Sequence, residues 1–359
     1  MNKSAVICEF GNSHDELLYS QFEFLKMSGY TTHFIGNESL KSRFDFYDNI
    51  DNYYFLNFSG NQLSKFYQIV KTWQYIRKFD IQNIILNTIE GTPVRNFCLF
   101  PFGKRKVSGI IHNAGNLKSS SKTFQKIIIP KIKKMFTLNP YIWKNSGSEL
   151  DIKNEYIYPI ARPKFLAERI KPDNEFWIII PGLVEAERRD YFLLLETLKN
   201  KSVPKEIKFI LLGKSMHNKG IGSELKIKIA EYNLENNFIL FDDYVDNSTF
   251  RNYMSNGDIL ATLIHPGAGN FRSYSSTKTS GTFLMSFSYM IPMLNHEYFE
   301  NFEDINISSI FYNSDNFYEK IISLKENPQI LKLIKSQMVN HNKFDFEVNR
   351  QKYIKLVEY

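Results

Sequence analysis

Residues 175–200 read EFWIIIPGLVEAERRDYFLLLETLKN, and this stretch decides the fold class. The apolar run Phe176–Ile180 is typical of a buried strand, and Gly182 follows it in a tight turn. Apolar residues then recur at helical spacing after Arg188 and Arg189, which predicts a helix. A strand, a glycine turn and a helix N-terminus with two arginines together suit a phosphate group. The stretch therefore predicts an α/β domain with an anion site at this turn.

Strand-like and helix-like segments alternate along the rest of the chain. The predicted strands are Ser4–Phe10, Thr31–Ile35, Tyr53–Phe58, Ile81–Asn87, Val107–Asn113, Lys134–Leu138, Tyr156–Ile160, Phe176–Pro181, Ile207–Gly213, Phe238–Tyr244, Ile259–Ile264 and Met293–Asn295. The predicted helices are His14–Met27, Gln62–Phe79, Arg189–Leu198, Glu224–Tyr232, Ser248–Ser255 and Thr282–Tyr289. Such alternation predicts parallel sheets covered by helices, with ligands at the carboxyl ends of the strands.

The chain has 359 residues, more than one ordinary core, so two domains are expected. Two prolines and mixed charge mark a linker at residues 162–174. We predict two Rossmann-like, doubly wound domains, at residues 1–161 and 175–340, that face a central cleft. Residues 341–359 are predicted to form a C-terminal helix that packs back on the first domain.

Composition narrows the class of protein. Hydrophobic residues make up 43% and charged residues 23% of the chain, as in globular proteins, and no apolar run reaches the length of a membrane span. The only cysteines are Cys8 and Cys98, which provide no disulfide framework and no zinc set, so we expect a cytoplasmic protein. Without a recognised reader motif, nucleic acid is not an expected partner.

The positive charge is concentrated in one window. Residues 91–148 contain no Asp or Glu but eleven Lys and Arg, although the net charge of the whole chain is only +7. Within this window, residues 118–136 alternate lysines with apolar side chains, as expected of an amphipathic segment on an anionic membrane surface. Pro130 would kink a helix there. The alternative is an ordinary solvated face of a lysine-rich protein.

A second phosphate-suited turn lies at residues 278–282, where a loop rich in Ser and Thr opens a helix. The side chains concerned are those of Lys278, Ser280 and Thr282, together with the backbone of Gly281. Ser280 also fits the role of a simple N-cap. Two such turns in one half of the chain are a more specific signal than either alone.

Together these segments resemble the GT-B-fold glycosyltransferases, a nucleotide-sugar family that includes bacterial surface-polysaccharide enzymes. The resemblance rests on the strand–PG–RRDY–LLLETL segment and on ILLGK (210–214), FDDYVDNSTFRNYMSNGDILATLIHP (241–266) and SGTFLMSFSYMIPML (280–294). It covers residues 175–300 well and the first half only in its alternation. It implies that the second domain binds a nucleotide sugar, that the first binds an acceptor, and that no further cofactor is needed.

The resemblance also implies roles for particular residues. Gly182 and Arg189, with Arg188 beside them, would contact the diphosphate, and the 278–282 turn would hold phosphates from the other side. The nucleoside pocket would be lined by Gly213, Lys214, Tyr244 and Val245. Many retaining members carry two glutamates eight positions apart, where this chain has Thr277 and Met285. The resemblance therefore implies neither a ribose-binding glutamate nor a retaining mechanism.

Candidate acid–base residues lie in the first half. His14 follows the first predicted strand in GNSHDE, and His112 follows another in SGIIHNAGN. A histidine at a strand end can deprotonate a hydroxyl or stabilise a departing phosphate, although each also suits a structural role. Glu90 is the runner-up base. We predict no metal site, because no ligand set is complete.

The leading hypothesis is a metal-independent hexosyltransferase that moves a sugar from a nucleotide donor to an acceptor hydroxyl in bacterial cell-surface glycan synthesis. Its basic window would place it peripherally on the inner membrane face, near a glycan or lipid-linked acceptor. The alternatives are a nucleotide-sugar 2-epimerase and a non-catalytic GT-B-like partner subunit.

Overall fold

The computed structural model describes residues 3–43, 45–117, 124–132, 134–146 and 152–359. The chain forms two compact units. Unit 1 comprises Met1–Pro163, Ser276–Thr279 and Phe346–Tyr359, and unit 2 comprises Lys164–Ser275 and Ser280–Asp345.

Strands and helices alternate in both units. The strands are β1 (Lys3–Glu9), β2 (Tyr30–Asn37), β3 (Asn52–Leu56), β4 (Asn83–Leu86), β5 (Lys106–Ile110), β6 (Lys134–Thr137), β7 (Lys153–Tyr156), β8 (Phe176–Pro181), β9 (Ile207–Lys214), β10 (Phe238–Phe241), β11 (Ile259–Ala261), β12 (Met293–His296) and β13 (Ser309–Tyr312). The α-helices are α1 (Leu18–Met27), α2 (Gln62–Lys78), α3 (Thr92–Phe97), α4 (Pro140–Ser146), α5 (Tyr191–Leu198), α6 (Gly222–Glu231), α7 (Asn247–Asn256), α8 (Phe271–Tyr274), α9 (Gly281–Tyr289), α10 (Glu303–Ile307), α11 (Phe317–Glu326), α12 (Gln329–Val339) and α13 (Phe346–Glu358).

Each unit contains one sheet, and every strand pair in it is parallel. The order is β3-β2-β1-β4-β5-β6-β7 in unit 1 and β10-β9-β8-β11-β12-β13 in unit 2. The order reverses between β1 and β4 in the first sheet and between β8 and β11 in the second. Ligands of doubly wound sheets bind at the carboxyl ends of strands beside this reversal.

The central strands are apolar because helices cover both faces of their sheet. All six residues of β8 are buried, and Ile178 and Ile180 lie in the core of unit 2. In unit 1, Val6 and Cys8 on β1 occupy the equivalent place in the core. The fold class predicted from the alternation, α/β with two doubly wound sheets, is confirmed.

One predicted strand is wrong, and one strand was not predicted. The strand predicted at Tyr156–Ile160 is in fact Lys153–Tyr156, and Tyr158 leaves the sheet because its backbone N–H donates to Asn349 Oδ1 at 2.9 Å. Strand β13 was not predicted, since its four residues lie in a polar stretch with no clear alternation. It pairs with β12 at the edge of its sheet.

Gly213 is required where β9 passes the end of β8. A Cβ atom at this position would lie 2.2 Å from the carbonyl oxygen of Gly182, a backbone atom that cannot move aside easily. We expect Gly213→Ala to lower the free energy of unfolding of unit 2 by about 1–3 kcal/mol, measured by urea denaturation. Gly267→Ala is the matched control, because a Cβ there meets nothing within 4 Å. Equal stability of the two variants would contradict this account.

Candidate functional site

A buried carboxylate lies at the carboxyl end of β1 in unit 1. Glu9 is 1% exposed, and its Oε2 accepts hydrogen bonds from Asn87 Nδ2 at 2.7 Å and from Thr88 Oγ1 at 2.6 Å. Its Oε1 accepts from the backbone N–H of Gly11 at 2.7 Å. Burial raises the pKa of Glu9, and these hydrogen bonds oppose the rise. The polar arrangement therefore sits at the sheet's strand reversal, where a ligand site is expected.

His14 is held in an unusual backbone conformation beside this carboxylate. Its φ of 68° is in the left-handed region, which is uncommon for a residue other than glycine. The amide of Asn87 donates to the His14 carbonyl at 3.0 Å and supports this conformation. Burial lowers the pKa of His14, but nearby carboxylates, foremost Glu16 with Oε1 at 3.4 Å from Nδ1, outweigh burial and raise it. His14 therefore tends to carry a positive charge.

His112 lies under His14 with the opposite electrostatic character. The two rings stack with centroids 3.6 Å apart at 21°. His112 Nε2 is 2.9 Å from the carbonyl oxygen of Asn87, which can only accept, so Nε2 carries the hydrogen and Nδ1 remains an acceptor. Burial and the charge of His14 lower the pKa of His112 to about 3. The pKa values of the two stacked rings are thus shifted in opposite directions, upward for His14 and downward for His112.

Glu90 lies close to the two histidines. Its Oε1 accepts from the backbone N–H of Asn113 at 3.0 Å. Burial raises its pKa, with opposition from hydrogen bonds and from the charges of His14 and Lys278. In the same unit the carbonyl of Thr277 accepts from the N–H of Ala114 at 2.9 Å. We call Glu9, His14, Glu16, Glu90 and His112 the histidine cluster.

A buried hydrogen-bond network of Tyr353, Gln21 and Asn87 connects the histidine cluster to the C-terminal helix. Tyr353 on α13 donates its hydroxyl hydrogen to Gln21 Oε1 at 3.0 Å, and Gln21 Nε2 donates to Asn87 Oδ1 at 2.6 Å. Asn87 then contacts both Glu9 and His14 through Nδ2 and His112 through its carbonyl. The three side chains of this network are fully or almost fully buried. Its hydrogen bonds fix the orientation of the cluster.

We expect Tyr353→Phe to destabilise the protein by about 1–2 kcal/mol, because Gln21 would lose a buried donor. The measurement is urea denaturation. The control is Tyr47→Phe, since the Tyr47 hydroxyl donates to Lys41 O at an exposed site and its loss should change stability by less than about 0.5 kcal/mol. A Tyr353→Phe protein as stable as this control would refute the stabilising role of the hydrogen-bond network.

Unit 2 buries an arginine at the carboxyl end of β8. Arg189 is 7% exposed, and its Nη2 donates to the carbonyl of Pro181 and, at 3.0 Å, to Thr282 Oγ1. Among the described residues no carboxylate forms an ion pair with it, and its buried Nε has no hydrogen-bond partner. Gly182 has a φ of 103°, which favours glycine, and it lets the backbone lie close to the guanidinium, since a Cβ there would be 3.4 Å from Nη2 of Arg189. A buried guanidinium with only neutral partners is costly, and an anion would compensate it.

The neighbouring arginine behaves differently. Arg188 is exposed, and its Nε donates to the carboxylate of Glu185. The helix predicted to begin at Arg189 begins at Tyr191, because Asp190 is the N-cap and accepts from Leu193 N–H at 2.9 Å. The prediction of a helix N-terminus bearing both arginines is therefore wrong, and both precede the helix in a turn.

The second predicted turn is divided between the units. Lys278 belongs to unit 1, whereas Ser280, Gly281 and Thr282 belong to unit 2 at the start of α9. Ser280 Oγ accepts from the N–H of Thr282 at 3.3 Å, so it is the N-cap, and Thr282 contacts Arg189. We call Gly182, Arg189 and Ser280–Thr282 the arginine turn.

The residues predicted for a nucleoside pocket lie at the end of β9 and after β10. Gly213 and Lys214 end β9, and Lys214 Nζ lies 3.6 Å from the exposed Asp243 Oδ1. Tyr244 is 60% exposed, and Val245 is buried. Tyr244 and Val245 lie in the segment after β10, which ends at Phe241.

Sequence reasoning missed several residues of these sites. Glu9 and Asn87 were not singled out, although a glutamate inside the apolar run SAVICEF was the available signal. In unit 2, Asp190 Oδ2 lies 3.5 Å from His265 Nδ1, and His265 Nε2 lies 2.6 Å from the hydroxyl of Tyr312. Only the fold brings these three residues together.

The basic segment differs from the predicted amphipathic one. Phe124, Ile128 and Ile132 are buried in the core of unit 1, so its apolar side chains do not face outward. Lys126 and Lys131 are exposed, while the predictions for Lys118, Lys122 and Lys133 fall outside the described residues. No helix in the described ranges is long and apolar enough to cross a membrane. The described residues also contain no group of three His, Cys, Asp or Glu placed to hold a metal ion.

Two doubly wound parallel sheets with polar sites at their strand ends define the GT-B fold. A solved glycosyltransferase from Rickettsia africae ESF-5 is similar over 100% of this chain and 98% of its own, with a TM-score of 0.69 and 14% identity. Anabaena HepE in complex with UDP and glucose is similar over 99% of each chain, with a TM-score of 0.70 and 12% identity. UDP-GlcNAc 2-epimerase from Neisseria meningitidis bound to UDP-GlcNAc is similar over 99% of each chain, with a TM-score of 0.62 and 13% identity.

At these identities the likeness shows the fold. No protein-family model matches the sequence, and no curated protein matches it. The resemblance seen in the sequence is confirmed at the level of the GT-B fold.

Proposed function

We propose that the protein is a glycosyltransferase that moves a sugar from a nucleoside diphosphate donor to an acceptor hydroxyl. The observation that carries this proposal is Arg189, a buried guanidinium beside Gly182 that forms no ion pair with any carboxylate of the described residues. A diphosphate would neutralise it and would accept hydrogen bonds from the start of α9. The GT-B fold supports the same reading.

The proposed reaction needs neither a metal nor a cofactor. The acceptor oxygen bonds to the sugar's anomeric carbon while the bond from that carbon to the diphosphate oxygen breaks. The acceptor hydroxyl donates a hydrogen bond to Nδ1 of His112, the free acceptor of a neutral imidazole. Because the pKa of His112 is about 3, this weak base takes the proton once the new bond to carbon has made the oxygen strongly acidic. His14, whose pKa is raised, would in its cationic form stabilise developing negative charge. The leaving diphosphate would be held by Arg189.

The donor is identified by a thermal-shift panel of nucleotides and nucleotide sugars. HepE structures with UDP and UDP-glucose make uridine the first base to test. A ligand at about 100 times its Kd adds roughly 2.7 kcal/mol of stability, so one diphosphate series should raise Tm by several degrees. The corresponding monophosphate and nucleoside are the matched controls and should shift Tm much less. A panel with no shift would contradict the proposal.

We expect activity to decrease as pH rises through the pKa of His14. That pKa is raised above the ordinary histidine value, so the cation persists to a higher pH than in an ordinary histidine and is lost as pH rises further. His112 stays neutral throughout, because its pKa is about 3. The measurement is kcat/KM against pH, and His14→Gln should be slower and lack the alkaline decrease. A His14→Gln profile that keeps this decrease would assign it to another group.

The proposal includes a peripheral site on the inner face of a bacterial membrane, near a glycan or lipid-linked acceptor. Because the apolar side chains of the basic segment are buried, this contact would rest on charge, foremost of Lys126 and Lys131. Sedimentation with anionic vesicles should weaken with salt and with Lys126→Gln and Lys131→Gln combined. Vesicle binding that is unchanged by salt and by both substitutions would contradict the proposed membrane contact.

A further inference from the structure

Four strands of unit 1 begin with a lysine. They are β1, β5, β6 and β7, whose first residues are Lys3, Lys106, Lys134 and Lys153. Because all strands are parallel, these lysines share the amino edge of the sheet, opposite the edge that carries the histidine cluster. The amino edge is therefore strongly basic.

The C-terminal end of α13 neutralises only part of this charge. Lys134 Nζ donates to the carbonyl of Val357 at 3.1 Å, and Lys106 Nζ donates to the carbonyl of Glu358. A helix C-terminus supplies about half a negative charge, and the Glu358 carboxylate pairs with Lys3 at 2.6 Å. In the part of the chain that the structure describes, neither Lys106 nor Lys134 forms an ion pair with a carboxylate.

Lys134 is the lysine of this edge whose charged form is destabilised by burial and by neighbouring positive charges. It is 6% exposed, and burial lowers its pKa to about 8, with a further contribution from the charges of Lys106 and Lys153. A buried ammonium surrounded by like charges is stabilised by any anion that reaches it.

A cavity of about 340 Å³ opens beside these lysines. It is lined by the cations Arg105, Lys106, Lys131 and Lys134 and by the rings of Phe102 and Tyr359. We call it the basic cavity. Its volume lies within the range of small-molecule sites, about 300–1,000 Å³.

Arg105 is held in place at the mouth of the basic cavity. Its Nε donates to the carbonyl of Ile81 at 3.0 Å, and its guanidinium lies 5.3 Å from the Trp73 ring centroid. Its ion-pair partner Asp80, at 3.7 Å, is 82% exposed and so neutralises it weakly. A fixed arginine fork next to lysine ammonium groups matches the oxygens of phosphate.

We propose that the basic cavity binds a phosphate-bearing anion with at least two negative charges, either a soluble phosphorylated compound or the phosphorylated head group of a lipid. The site is separate from the proposed donor site, since it lies at the amino edge of unit 1 and the arginine turn lies in unit 2. It stands whether or not the proposed transferase activity is correct.

The test is calorimetric titration of the full chain with pyrophosphate. We expect Lys131→Gln to weaken one binding event at least tenfold, and Arg105→Gln to do the same. Lys131 is exposed and lies 6.0 Å from the Phe102 ring, so its replacement should leave folding intact. Lys144→Gln is the matched control, because this exposed lysine lies in the same acid-free window but does not line the cavity. Any pyrophosphate held at Arg189 remains in all three variants.

Flotation with phosphatidylglycerol vesicles separates the two sources of phosphate. Vesicle binding that is lost in Lys131→Gln, kept in Lys144→Gln and displaced by pyrophosphate identifies a lipid head group. Pyrophosphate binding that depends on the same residues, without vesicle binding, identifies a soluble ligand. Wild-type stoichiometry and affinity for pyrophosphate in both Lys131→Gln and Arg105→Gln would overturn the proposal, as would equal losses in Lys144→Gln and Lys131→Gln.

Discussion

Replacing Arg189 by alanine is expected to weaken the binding of a nucleoside diphosphate roughly 30- to 1,000-fold, which corresponds to about 2–4 kcal/mol. The reason is that Arg189 is a buried cation with neutral hydrogen-bond partners. They are the carbonyls of Pro181 and Leu183 and the hydroxyl of Thr282. A charge-assisted pair of hydrogen bonds to phosphate oxygens is available to it only when an anion binds. Calorimetric titration with the diphosphate identified in the thermal-shift panel measures the change.

The same substitution should cost the unliganded protein little stability. Removing a buried charge that forms no ion pair with a carboxylate in the described part of the chain offsets the loss of three hydrogen bonds to neutral groups, so Tm without ligand should change by a few degrees at most. Arg188→Ala is the matched control. This neighbouring arginine is exposed and paired with Glu185, so its removal should change affinity by less than about threefold. Equal effects of the two substitutions would contradict the assignment.

Replacing His112 by asparagine is expected to lower kcat by about 10²–10⁴-fold, the usual contribution of a general base. Asparagine can still donate a hydrogen bond to the Asn87 carbonyl, but it lacks the acceptor that the Nδ1 atom provides. Donor affinity should stay within about threefold of wild type, because the arginine turn is unchanged. The measurement is steady-state turnover together with a donor titration.

Glu90→Gln distinguishes the runner-up base. The carboxyl pKa of Glu90 is raised by burial, so a reaction that depends on it should slow as pH falls through that pKa. A reaction that depends on His112 should show no such decrease above about pH 4, because the imidazole is already neutral there. A large loss in Glu90→Gln with little loss in His112→Asn would move the base role to Glu90.

The sheets were predictable because their strands are continuous apolar runs. In β8, FWIII can be buried on both faces only in a covered parallel sheet, and Pro181-Gly182 marks where it ends. The position of Arg189 next to a glycine turn was predictable for the same reason. Its burial was not, because burial depends on Thr282 and α9, which lie about ninety residues further along the chain.

The environment of the histidines was less predictable. That His14 and His112 follow parallel strands of one sheet could be expected, but their stacking depends on the left-handed backbone of His14 and on Asn87, which contacts both. Opposite pKa shifts within one pair arise from tertiary contacts that no local pattern encodes. The amphipathic surface predicted for the basic segment differs from the structure for a similar reason, since the apolar side chains of this segment lie in the core of unit 1.

The most direct test of the central claim is the release of nucleoside diphosphate from the identified nucleotide sugar by the purified chain, with water as the slow acceptor. The account predicts measurable release by the wild-type protein and release by His112→Asn that is at least 100-fold slower. A donor that binds tightly with no release would contradict catalysis and identify a non-catalytic binding protein. A donor converted into an isomeric nucleotide sugar would identify a 2-epimerase instead.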